Sequence, residues 1–392
     1  MIPRLSSRQR VAWVAALLVG LLFGLLLGRP AQAAETALDA SLNERVIMVP
    51  SADGPAVALQ VTVFTLAGTG PFPLAVLNHG KRAGLPSAQP RDRAPYLARY
   101  FLSRGYAVAL PMMRGFAASQ GDLGYRLCGA EAVGLNAARD IRAVIDAMAR
   151  EPGVDVRRVV VSGQSFGGWN TLAFGTLRDD RVKALVNFNG GLEDPHCATW
   201  QARLLDAAGG YGARSRTPSL WFYGDNDSRF QLALWRAMFD RYRARGAPAE
   251  LVDVGRFLDD SHQILGQPEG LAIWVPRLDA FLTAIGLPGA ERGAGILPAP
   301  YPAASHFAAI DDLRAVPHLR GEAAEQAYRA FLKMPLPRVF VIGPKAMTSF
   351  HGGLDPLARA MQACADASPS CRPYAIDNDV VWAPEPAGSA PR

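Results

Sequence analysis

Hydrophobic and polar positions along this chain fall into two alternating rhythms. Short apolar runs rich in Val, Ile and Leu predict strands at Arg45–Pro50, Ala56–Thr65, Pro73–Asn78, Tyr106–Leu110, Val159–Ser162, Val182–Phe188, Pro218–Tyr223 and Glu250–Val254. Between them lie stretches with helical spacing. The clearest is Glu131–Arg150, where Val133, Leu135, Ala138, Ile141, Val144, Ile145 and Met148 recur at three- and four-residue steps. Further helices are predicted at Ala94–Ser103, from Gly167 to about Leu177, at Gln231–Ala244 and at Leu271–Ala284. Strands that are apolar nearly throughout and alternate with helices predict a mostly parallel sheet covered on both faces, an α/β architecture. Sites on such sheets lie at the carboxyl ends of strands. His79, Ser165 and the turn Gly224-Asp225-Asn226-Asp227 all fall there.

The pattern changes near residue 288. Gly, Ala and Pro crowd residues 288–302, a linker composition. Residues 303–392 then predict a small α+β domain, with helices at Gly321–Leu332 and Pro356–Ala367 and strands at Arg338–Ile342 and from Pro373 to Ile376 or Val381. Residues 34–287 form the larger predicted domain.

Residues 1–33 stand apart from both rhythms. Arg4, Arg8 and Arg10 precede an apolar run from Val11 to Leu27, Gly28 and Pro30 break it, and Ala31-Gln32-Ala33 fits a cleavage site. That is the layout of a secretory signal peptide; a membrane anchor is the competing reading, since the run approaches spanning length. Cleavage removes four arginines and no acid, which lowers the formal charge from +6 to about +2. No Lys/Arg cluster then points to nucleic acid. The expected location is periplasmic or secreted, with no stable membrane span after cleavage. Four cysteines in an exported chain suggest disulfides. Cys364 and Cys371 are close in sequence and pair, leaving Cys128–Cys197. No C-x-x-C or histidine spacing suggests a metal.

Candidate chemistry centres on Val159–Gly168, where a β-branched run leads into Gly163-Gln164-Ser165-Phe166-Gly167-Gly168. A serine at the apex of a strand–turn–helix needs small neighbours, because a Cβ on either side would meet the strand or the helix. Its hydroxyl is a poor nucleophile unless a base lies within hydrogen-bond reach and an acid orients that base. His262, between the last strand and last helix of the larger domain, is the candidate base. His79 precedes Gly80 at an early strand end, and its backbone is read as shaping an oxyanion site. His306, His318 and His351 read as structural or surface. For the acid, Asp227 is preferred over Asp225, which is read as holding the turn. Glu193 and Asp194 are the second choice, and Asp259 and Asp260 read as solvated loop. The expected oxyanion donors are the main-chain N–H groups of Phe166 and Lys81. Met112, Met113, Phe116 and Trp169 are the candidate substrate-pocket residues.

Asn78-His79-Gly80, Arg114-Gly115, the Ser165 turn, Gly224-Asp225-Asn226-Asp227 and Ser261-His262 together resemble the α/β-hydrolase superfamily. The branch they resemble is that of the dienelactone-hydrolase-like and prolyl-oligopeptidase-like serine hydrolases, over residues 45–287. The resemblance implies hydrolysis of an ester, lactone or peptide through an acyl-enzyme, without a cofactor, by Ser165, His262 and Asp227. The expected partner is a small-molecule ester or acyl substrate. Two departures stand out: dienelactone hydrolases carry cysteine at the position of Ser165, and Ser-His-Gln replaces the usual Gly-His-Gly or aromatic. Survival of all three residue types at strand ends argues against a binding scaffold that has lost its chemistry.

Overall fold

The apolar runs assemble into one eight-stranded sheet. A computed structural model of the chain describes residues 38–51, 56–68, 70–124, 127–293, 301–351 and 356–384. The strands are β1 (Arg45–Ser51), β2 (Val57–Phe64), β3 (Phe72–Asn78), β4 (Ala107–Pro111), β5 (Val154–Gln164), β6 (Val182–Phe188), β7 (Ser219–Tyr223) and β8 (Ala249–Asp253). Their order is β1-β2-β4-β3-β5-β6-β7-β8. β1, β2 and β4 pair antiparallel, and every pairing from β4 through β3 to β8 is parallel. This is the α/β-hydrolase arrangement expected above.

Alternation explains why the strands read as continuously apolar. Leu74, Val76, Val159 and Val161 enter the core on one face, while Ala75, Leu77 and Val160 enter the core on the other. The first face is covered by α2 (Ala130–Met148), α3 (Phe166–Phe174), α4 (Trp200–Arg214) and α5 (Leu232–Ala244). The second is covered by α1 (Pro95–Ser103) and α6 (Leu271–Ala284).

Helix α4 was not legible in the sequence. Its interior carries Gly209, Gly210 and Gly212, which weaken helix propensity. Packing overrides that: a Cβ on Gly212 would overlap the Tyr242 carbonyl, so glycine is what lets α4 and α5 approach.

The C-terminal region forms a separate antiparallel sheet with order β10-β9-β11-β12, from β9 (Arg338–Ile342), β10 (Met347–His351), β11 (Arg372–Ile376) and β12 (Asp379–Val380). α7 (Glu322–Phe331) brings Tyr328 and Phe331 against Phe340 and Tyr374. α8 (Pro356–Ala365) packs Ala360 and Cys364 on the opposite face, against Val339 and Val341. β10 has no clear alternation and escaped the sequence reading. The last predicted strand is a hairpin, β11 turning into β12. Both expected disulfides are present, Cys128–Cys197 and Cys364–Cys371. The expected signal peptide and residues 294–300 of the expected linker lie outside the described residues. Among the described residues no helix is long and apolar enough to cross a membrane.

Candidate active site

Ser165 sits where β5 ends and α3 begins, with φ 56° and ψ −120°. Few non-glycine residues adopt that conformation, at a cost of order 1–3 kcal/mol, and surrounding structure must enforce it. Here main-chain bonds do so. Ser165 N donates to Phe188 O at 2.9 Å, while Ser165 O accepts from Trp169 N and Gly191 N. The flanking glycines are sterically required: a Cβ on Gly163 would overlap the Gly167 carbonyl, and one on Gly167 would overlap the Asn78 carbonyl.

His262 and Asp227 meet. His262 Nδ1 lies 3.0 and 3.1 Å from the two carboxylate oxygens of Asp227. That carboxylate is buried and fully satisfied: Oδ2 accepts from Asn189 Nδ2, and Oδ1 from the main-chain N–H groups of Arg229 and Phe230. An ionised Asp227 fits this donor set, since every partner is a donor. It also assigns the imidazole tautomer, because Nδ1–H donates to the carboxylate and Nε2 is left as an acceptor. Ser165 and His262 line the same cavity, of about 590 Å³, without a direct hydrogen bond between them among the described residues.

Two further contacts hold the His262 turn, and neither was anticipated. Gln164, the residue before Ser165, donates through Nε2 to His262 O at 2.9 Å. Asp260 was read as a solvated loop residue; instead it caps the turn, accepting from His262 N, Ser228 N and Ser228 Oγ. Burial alone would raise the Asp260 pKa, but the Ser228 and His262 hydrogen bonds outweigh it and hold the carboxyl below its usual range.

The other acid candidates lie elsewhere. Asp225 is exposed, and Asn226 holds the turn by accepting from Phe257 N and donating to Phe257 O and Leu258 O. Glu193 is exposed, 3.5 Å from Arg229. Asp194 is buried and accepts from Cys128 N and His196 N. His196, His306, His318 and His351 are exposed.

The expected oxyanion donors belong to residues that border the serine. Phe166 and Lys81 both line the cavity, and a Cβ built on Gly80 would lie 3.6 Å from Ser165 Cβ. The His79 imidazole stands behind this turn. Its Nε2 accepts from Met113 N at 3.0 Å, so Nδ1 carries the hydrogen and donates to Gly80 O at 2.9 Å. Burial pushes the His79 pKa below its ordinary 6.5, which keeps the ring neutral.

Met112, Met113, Phe116 and Trp169 are not on the cavity wall. All four are fully buried in the core. Phe116 stacks on Phe166 at 5.6 Å and meets His79 edge-on, while Trp169 Nε1 donates to Ala130 O. They support the wall from behind. Much of the wall comes instead from loops whose residues carry no periodic signal, among them Gln89, Leu192, Pro195, Phe230 and Leu265. Its mouth mixes Lys81, Arg82 and Arg229 with Asp92 and Glu193. The Cys128–Cys197 bridge ties residues 127–129 to the loop that supplies Gly191–Pro195 to this wall.

No curated protein sequence matches the chain. Among solved structures, Porphyromonas gingivalis dipeptidyl peptidase 4 is similar at 19% identity and a TM-score of 0.48, over 62% of this chain and 35% of that one. This chain thus spans about a third of that protein's length. A putative dienelactone hydrolase from Klebsiella pneumoniae is similar at 18% identity and 0.43, over 61% of this chain and 98% of that one. Thermogutta terrifontis esterase 2 is similar at 19% and 0.43, over 64% and 97%. Residues 95–195, which include the whole Ser165 turn, match the prolyl oligopeptidase family. That match lies on a sheet whose strand order is the α/β-hydrolase one.

Proposed function

We propose that this chain is an exported carboxylic-ester hydrolase in which Ser165, His262 and Asp227 act as a catalytic triad. The observation that carries the reading is the Asp227–His262 pair, with its tautomer fixed, facing the cavity that the strained Ser165 turn also lines. In this mechanism His262 Nε2 takes the proton as Ser165 Oγ attacks the substrate carbonyl. The N–H groups of Phe166 and Lys81 receive the developing oxyanion. His262 returns the proton to the leaving alkoxide, giving an acyl-enzyme and an alcohol. Water, deprotonated by the same imidazole, attacks the acyl carbon and releases the acid and a free Ser165. Asp227 stays ionised and stabilises the imidazolium. Two disulfides among the described residues support an oxidising compartment and hence export.

Peptide or amide hydrolysis is the second reading, favoured by the family match over residues 95–195. Labelling with a fluorophosphonate tests the shared chemistry: Ser165 is modified in the intact protein and Ser165→Ala is blank. A folded protein that resists labelling overturns the triad. Turnover of p-nitrophenyl esters against peptide p-nitroanilides then separates the two readings, and faster turnover of the anilides overturns the ester reading.

A further inference from the structure

We propose that Gln89 and His79 are positioning residues for the oxyanion site, acting through the single peptide unit that joins Gly80 to Lys81. The inference rests on the serine-hydrolase reading above and adds the residues that set the direction of one donor. The Gly80 carbonyl oxygen is clamped twice, by Gln89 Nε2 at 2.9 Å and by His79 Nδ1 at 2.9 Å. Gln89 also reaches the next peptide, its Oε1 accepting from Arg82 N at 2.9 Å. One amide side chain therefore pins both the carbonyl before Lys81 and the N–H after it.

A peptide unit is planar, and in the trans form its C=O and N–H point in opposite directions. Fixing the Gly80 carbonyl against Gln89 and His79 thus turns the Lys81 N–H away from them. Gly80 and Lys81 border the cavity with Ser165, and the Lys81 N–H has no acceptor among the described residues. This donor is held open by its neighbours rather than by the Lys81 side chain, which is exposed. Both clamps are themselves fixed. Gln89 is buried, and the His79 ring is locked by the Met113 N–H and packed edge-on against Phe116. The chemistry at residue 89 matters, because its amide offers Gly80 O a donor and Arg82 N–H an acceptor from two separate atoms.

The test uses the full chain with two variants, Gln89→Met, which removes both groups, and Gln89→Glu, which keeps the acceptor but loses the donor. Steady-state hydrolysis of p-nitrophenyl butyrate is measured below each variant's melting temperature. Inhibition by a trifluoromethyl ketone, which forms a tetrahedral adduct, is measured alongside. Removing one oxyanion donor lowers kcat by about 100-fold or more. We expect both variants to lose roughly 10- to 100-fold in kcat with KM within about threefold, and to lose affinity for the ketone in parallel. A kcat unchanged in either folded variant overturns the inference, as does a loss confined to KM or to melting temperature. A wild-type protein that neither labels at Ser165 nor turns over an ester overturns the underlying reading instead, and this inference with it.

Discussion

Two turns border the same cavity and are held in different ways. The Ser165 turn is fixed by main-chain groups. Its N–H and C=O are bonded to Phe188, Trp169 and Gly191, and Gly163 and Gly167 leave room only for backbone. The turn after His79 is fixed by side chains: Gln89 and the His79 ring clamp Gly80 O. Further along that segment, Glu44 binds the guanidinium groups of Arg91 and Arg93 at 2.6 Å each, with all three side chains buried. A turn fixed by steric exclusion restricts which residues can occupy it, so it leaves a motif. The turn after His79 shows only Asn78-His79-Gly80 locally, because the amide that completes its clamp, Gln89, lies outside the turn.

Substitutions can break this comparison, beginning with the largest effect. Ser165→Ala is expected to lower kcat by about a million-fold while leaving the melting temperature close to that of the wild type. Ester hydrolysis and differential scanning calorimetry check both parts. Asp227→Asn keeps the shape but removes the charge that fixes the His262 tautomer. A loss of about ten-thousand-fold in kcat is expected, measured across pH with the same ester. On the side-chain-held segment the expected effect is on stability. Glu44→Ala removes the carboxylate shared by Arg91 and Arg93, and breaking a buried ion pair typically costs about 3–5 kcal/mol. Urea denaturation reads that loss.

Opening the Cys128–Cys197 bridge, which closes a separation of 69 residues, is expected to cost about 2–4 kcal/mol. Melting of the Cys128→Ala/Cys197→Ala double variant measures it, with a rise in KM if the Gly191–Pro195 wall loosens. The smallest effect is a pH dependence. The folded His79 pKa lies below 6.5, so its contribution to stability is intact above pH 6.5 and falls as pH drops towards the folded value. Asp92 and Arg82 act on the ring in opposite senses. The slope from this one group is at most about 1.4 kcal/mol per pH unit. A His79→Gln variant melted between pH 7 and pH 5 is expected to lose that part of the slope.

The same distinction explains what could be read from residues alone. The sheet was legible because parallel strands buried on both faces have little choice but Val, Ile, Leu and Ala. The Ser165 turn was legible through its glycines, and His262 through its position between the last strand and helix. Asp227 and Asp225 are two residues apart on one turn, and only the folded chain separates them: one carboxylate is buried against His262, the other faces solvent. Met112, Met113, Phe116 and Trp169 were read as pocket because they sit near strand ends. The loop after β4, which carries the first three, and α3, which carries Trp169, fold them into the core instead. Gln89, Gln164 and Asp260 escaped notice because a lone polar residue in a loop looks the same whether or not a distant backbone group needs it.

The chain just beyond α6 bears on where this molecule can be shortened. Arg292 N and Gly293 N both donate to Ser103 O, at the last residue of α1, and Tyr106 Oη donates to Pro288 O. α1 begins beside the cavity, where Ala94, Pro95 and Leu97 form part of the lining. Cutting at the Leu287–Pro288 bond would therefore strip the Ser103 carbonyl of its two N–H donors, at the far end of an element that walls the cavity. A minimal catalytic fragment should run through Gly293, with the six residues that look like spacer retained as a tail that ties off that helix.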